Sequence, residues 1–285
     1  MGFSSVQALA DAELAGQTWY STWRKSPSQV STIGVWFDLS MSPGNPVPQY
    51  YAASPLVGVP MSYSDEQGLN HGRNVSPLTK HLKRVTVMTS TATALPMPMI
   101  LCDYLFYYPF IDEGTTDAQS LDNTQTLTRY TDGEGVQVMA VSVAGRTGGQ
   151  TFQFSYTNSD GVAGRTSQTV RENAVSVNGS IVTSDRANAN ARGPFIPLQD
   201  GDTGVRSIES VTMNGADVGL FALVLVKPLA QLSLRGIDAP VEVNYLLDFG
   251  QLPRIVDDAY LNLLACPAGS LAATALHGDL TVVWN

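Results

Sequence analysis

The chain has 285 residues, a net charge of −9 at pH 7 and only 14% charged side chains, against roughly a quarter in ordinary soluble domains. That charge repels phosphate backbones, and the one basic cluster, Lys80-His81-Leu82-Lys83-Arg84, is too short to overcome it, which argues against direct nucleic-acid binding. No run is long and apolar enough for a membrane-spanning helix. A surface this neutral suits contacts with other subunits or with uncharged ligands, and the excess of Arg over Lys (Lys occurs only at 25, 80, 83 and 227) fits interfaces, where the planar guanidinium desolvates more readily.

The N-terminus lacks the basic stretch of a signal peptide and carries Asp11 and Glu13 where an apolar segment is needed. Ser4 or Ser5 can cap a helix over residues 6–14, stopped by Gly16, whose stripe of Val6, Leu9 and Leu14 is too narrow to stand without a partner surface. Trp19, Tyr20 and Trp23 follow, and can either anchor an arm on a neighbouring subunit or fold back over the core. Residues 1–30 are therefore expected to form an N-terminal arm docking on an adjacent chain, with Val6, Leu9, Leu14, Trp19 and Trp23 as interface candidates.

From Ile33 onward, short alternating or continuously apolar runs are divided by Gly, Pro, Asn and Asp. Strands are predicted near 33–39, 83–92, 98–108, 136–143, 151–157, 174–183, 205–213, 218–227, 241–247, 259–265 and 279–284. Hairpin-type turns are predicted at Asn158-Ser159-Asp160-Gly161 and Asn214-Gly215. No later run keeps a helical period over ten residues, so the expectation is an all-β sandwich or barrel forming one domain over 31–285. Its core is predicted at Ile100, Leu101, Leu105, Val138, Val141, Phe152, Phe154, Leu223, Leu225, Leu261, Leu263 and Val283.

Two segments resist a strand reading. Residues 42–60 hold five prolines and read as an ordered loop presenting Tyr50 and Tyr51 as a further contact pair. Residues 185–204 are equally rich in turn formers. Cys102 and Cys266 sit in apolar runs and read as buried free thiols, which favours assembly in a reducing cytoplasm. The pentapeptides 143–147 (VAGRT) and 162–166 (VAGRT) echo each other without making a repeat architecture.

Catalytic and metal signatures are weak. His71, His81 and His277 are scattered, and no nucleophile elbow, phosphate loop or dinucleotide fingerprint occurs, so no catalytic residue, metal or cofactor is expected. Asp103, Asp112, Glu113 and Asp117 lie among Tyr104, Phe106, Tyr107, Tyr108 and Phe110, and carboxylates among rings would suit a glycan. The plainer alternative is a core strand running into a turn with solvated carboxylates beyond it. Asp200-Gly201-Asp202 lacks the later Glu of a calcium loop and reads as an acidic turn.

The segments SPGNPVPQYYAASPLVGVPM (42–61), LCDYLFYYPFIDEGTTD (101–117) and YTDGEGVQVMAVSVAGRTGGQTFQFSYTNSDGVAGRT (130–166) resemble a virion structural protein family of tailed bacteriophages and prophages. The resemblance covers about the middle half of the chain; the remainder has only a general likeness to phage jelly-roll proteins. It implies a jelly-roll-like antiparallel β-sandwich and a non-enzymatic particle component assembled in the bacterial host cytoplasm. Its expected role is a capsid decoration or cement protein that binds major capsid subunits; the low charge and the Arg-over-Lys bias in turn predict a homo-oligomer, a trimer being favoured. The alternatives are a tail or head-tail component, a receptor-binding fibre tip contacting host glycan, and a glycan-cleaving enzyme using the carboxylates of 103–117.

Overall fold

The computed structural model describes residues 3–63, 67–184, 193–248 and 252–285. Ser5 caps helix α1 (Val6–Leu14), its hydroxyl accepting from the Ala8 amide at 3.0 Å. Ten strands longer than two residues follow among the described residues: β1 (Thr18–Lys25), β2 (Lys80–Thr89), β3 (Met97–Asp112), β4 (Gln137–Ser142), β5 (Thr151–Asn158), β6 (Val205–Met213), β7 (Leu220–Leu234), β8 (Val241–Asn244), β9 (Leu261–Ala265) and β10 (Leu276–Trp284). A second helix, α2, is a single turn at Tyr245–Asp248.

The strands form three antiparallel sheets. A terminal sheet runs β8-β2-β10-β1 and ends on Gly44–Asn45; a central sheet runs from Phe37–Asp38 through β9, β3 and β7 to β4; a distal sheet is built on β5 and β6. β3 and β7 pair along their whole length, from Leu220 opposite Asp112 to Leu234 opposite Met97. Both faces of this pair are buried, which is why MILCDYLFYY reads as one continuous apolar run rather than an alternating one.

One face of the central sheet is covered by both smaller sheets, placed end to end. Met99, Leu101 and Leu232 pack against Leu82, Val85 and Leu280 of the terminal sheet. Farther along, Leu105, Phe221 and Leu223 pack against Phe152, Phe154 and Ile208 of the distal sheet. Among the described residues, no sheet lies over the opposite face. Ile100, Cys102, Tyr104 and Val224 are covered there by loop residues including Met41, Tyr51 and Met61. The proline-rich stretch is thus an ordered lid, and Lys25 holds it down by donating to the Ser42 and Pro46 carbonyls at 3.1 and 2.8 Å.

The all-β antiparallel sandwich with a short N-terminal helix is as expected, and every predicted core position is buried. These positions nonetheless belong to several clusters, Val283 lying apart from the rest beneath α1 with Leu9 and Ala12. The main correction concerns residues 1–30. β1 lies inside the terminal sheet, paired with β10 from Thr18 opposite Val283 to Lys25 opposite Leu276, so this half of the expected arm is sandwich. Residues 174–183 contribute only isolated bridges, to Phe37 and Val141, and 241–247 divides into β8 and α2. The turn at 158–161 closes a hairpin back to Arg165–Thr166, whereas Asn214-Gly215 carries the chain from the distal to the central sheet. Of the turn-rich stretch 185–204, residues 185–192 lie outside the described residues.

Phe154 is fully buried with its ring 5.5 Å from that of Tyr156. Phe154→Ala is expected to cost about 3–5 kcal/mol through the cavity it leaves, read as a lower urea midpoint with the slope unchanged.

Candidate functional site

The seven interface candidates separate by exposure. Val6 (66% exposed), Leu14 (86%), Trp19 and Tyr50 face solvent, while Leu9, Trp23 and Tyr51 are core residues and so are withdrawn as contact candidates. Trp23 can sit beneath the terminal sheet because its strand partner is Gly278: a Cβ there would fall 2.5 Å from the indole ring. Tyr51 donates from its hydroxyl to the buried Asp38 carboxylate, which also accepts from Tyr104 at 2.7 Å and from the Ser40 hydroxyl at 2.8 Å. Burial pushes the Asp38 carboxyl above its ordinary value, and these donors oppose the shift.

The carboxylates of 103–117 do not converge on a groove. Asp103, on β3 where the two sandwich cores meet, is held by Arg129 through two bonds of 3.1 and 2.7 Å and accepts from the Tyr260 amide at 2.8 Å. Asp112 and Asp117 are exposed, Asp112 accepting from the Gly114 amide at 2.8 Å. Tyr104, Phe106, Tyr107 and Tyr108 are buried. Glu113 lies under Arg146, which bonds Glu113 at 2.8 Å, Glu172 at 3.0 Å and the Asn173 carbonyl at 2.7 Å, with the Arg and both Glu side chains fully buried.

Arg146 supplies one positive charge to two carboxyls. Burial, then the Glu113 charge, push Glu172 from 4.5 up to about 8, and burial raises Glu113 as well. The oxygens facing away from Arg146, Oε2 of Glu113 and Oε1 of Glu172, have no partner among the described residues, which suits a proton held by the pair. A carboxyl whose folded pKa lies above its unfolded value stabilises the fold fully at low pH and loses that contribution as pH rises. Stability is therefore expected to fall between pH of about 4.5 and about 8, and Glu172→Gln to flatten that fall. Urea midpoints across the window check this; equal slopes in the two proteins would remove the shared proton.

The two echoed pentapeptides acquire a common explanation, since each arginine grips carboxylate. Arg146 holds the Glu pair, and Arg165 grips Asp202 with two bonds of 2.9 and 3.0 Å, holding that carboxyl down at about 2. The Asp200-Gly201-Asp202 turn is thus tied to protein donors, Asn158 also donating to Asp202 at 2.8 Å. Cys102 is buried and Cys266 half-buried, both as free thiols. Cys102 sits opposite Asn262 and the Cys266 amide bonds the Pro98 carbonyl, so four strand positions, about 13 Å, separate the cysteines, beyond disulfide reach. His71 is clamped between the Lys80 ammonium at 3.0 Å and the Ala259 carbonyl at 2.9 Å, and burial lowers it to about 4.

One open concavity stands out on the solvent face of the terminal sheet, enclosing about 680 Å³ beyond the end of α1. Its walls come from β1, β2, β8 and β10. Arg84 crosses it, pairing with Asp279 at 3.1 Å and approaching Glu242 at 3.8 Å, while Thr86 also donates to Asp279. Tyr20 (58% exposed) and Met88 add apolar surface. Sequence reading missed this groove because its residues come from four strands far apart in the chain, each looking like an ordinary solvated strand position.

No family model and no curated protein matches the chain. Among solved structures, the D431N mutant VP2 protein of infectious bursal disease virus, from derived T=1 particles, aligns over 94% of this chain and 78% of that one, at 10% identity and a TM-score of 0.17. At that score the likeness carries no argument about fold or function.

Proposed function

We propose that the chain is a structural, non-enzymatic component of a tailed-bacteriophage virion, a decoration or cement subunit seated on major capsid subunits and assembled in the bacterial cytoplasm. The observation that carries this reading is α1. Leu9 and Ala12 bury its inner side on Val283, yet its outer side presents Val6 and Leu14 to solvent. A helix apolar on both sides is built to be covered on both. The 14% charge content supports desolvation of such faces.

Leu14→Glu is expected to leave stability within about 0.5 kcal/mol of the parent, because the position is exposed, while abolishing incorporation into particles. Normal incorporation of both Leu14→Glu and Val6→Glu would refute docking through α1. Labelled-particle imaging then separates capsid from tail: copies over the whole shell support decoration, and copies confined to the tail axis would move the chain there. Sedimentation is expected to show a homo-oligomer, with a trimer favoured.

A further inference from the structure

We propose that the groove on the solvent face of the terminal sheet is a binding site for a neutral saccharide, a property independent of where the subunit sits in a particle. Four observations select that ligand class. The volume, about 680 Å³, matches small-molecule sites and leaves room for a short oligosaccharide segment. The charges are balanced, Arg24 and Arg84 standing against Glu242 and Asp279, so a strongly ionic ligand meets no net attraction. These side chains offer guanidinium donors beside carboxylate acceptors, and a sugar hydroxyl, which donates and accepts at once, can use both. The exposed Tyr20 ring supplies a flat apolar surface for the C–H face of a pyranose, with Met88 extending it.

The floor excludes the main competitor. Along the floor β2 and β10 are hydrogen-bonded on both sides, β2 to β8 and β10 and β10 to β2 and β1, so an extended peptide lying on this face of the sheet finds no ladder to join there. An acyl chain would have to desolvate the Arg84–Asp279 and Arg84–Glu242 pairs without replacing their hydrogen bonds.

The test uses the full chain, fluorescently labelled, on an array of immobilised neutral hexose, N-acetylhexosamine and uronic-acid oligosaccharides. Binding is expected to neutral members, weakened about tenfold by Tyr20→Ala and similarly by Glu242→Gln. Both residues are exposed, so melting temperature should stay at the parent value. Tyr50→Ala, on the proline-rich loop, should bind as the parent does. The proposal is overturned by no binding to neutral members, by preference for the uronic acids, or by loss in Tyr50→Ala with Tyr20→Ala unaffected. None of these results would touch particle incorporation, so the virion reading stands or falls separately.

Discussion

Arg146→Met is expected to destabilise the protein by about 3–5 kcal/mol, because it leaves two buried carboxyls facing each other with no cation. The geometry makes the loss large. One guanidinium, fully buried, satisfies Glu113 Oε1, Glu172 Oε2 and both oxygens of Asn173. Glu113 directly follows β3 of the central sheet, whereas Glu172 and Asn173 follow the strand Val170–Arg171 of the distal sheet. Arg146 therefore pins the ends of two sheets together as well as neutralising charge. Chemical denaturation reads the cost, and a triple variant in which Glu113 and Glu172 are also Gln should recover part of it, since the buried charges are removed together while the Asn173 oxygens stay without their Arg donor. A single variant within about 0.5 kcal/mol of the parent would show that the cluster is not charged as described.

The second large effect concerns the N-terminus. Removing residues 1–14 deletes only α1 and should leave a folded sandwich that no longer joins particles. Removing residues 1–25 is expected to leave no folded terminal sheet, because it takes away β1 with its eight pairings to β10 and with buried Trp23 and Lys25. Trp23→Ala isolates the packing part of that loss, at about 3–5 kcal/mol. Circular dichroism and denaturation midpoints distinguish the two truncations. A cooperative unfolding transition in the longer truncation would mean that residues 18–25 are the dispensable arm their sequence suggested.

That segment shows where local sequence ran out. TWYSTWRK alternates as a strand should, yet it sits beside a short amphipathic helix and carries two tryptophans, and nothing local says that its partner is the last strand of the chain. The same limit hides the groove, whose ion pair joins Arg84 to Asp279, and the Asp38 hub, which draws hydroxyls from Ser40, Tyr51 and Tyr104. A lone Asp in the apolar run VWFDL was a usable signal for a buried carboxylate, because an unpaired charge there is too costly to keep.

What the sequence determined by itself is the all-β class and the buried positions. Period-two alternation, continuous apolar runs and turn formers are local properties, and burial on one or both faces writes them directly into the residue order. What only the tertiary structure decided is which strands are neighbours and what each charge meets. The division of one expected core among several clusters follows from two long strands serving two smaller sheets. The conversion of Asp103 and Glu113 from a candidate acidic groove into structural ion pairs follows from Arg129 and Arg146 arriving from elsewhere in the chain. Pairing across such separations depends on backbone ladders and shape, which leave no periodic mark on either segment alone.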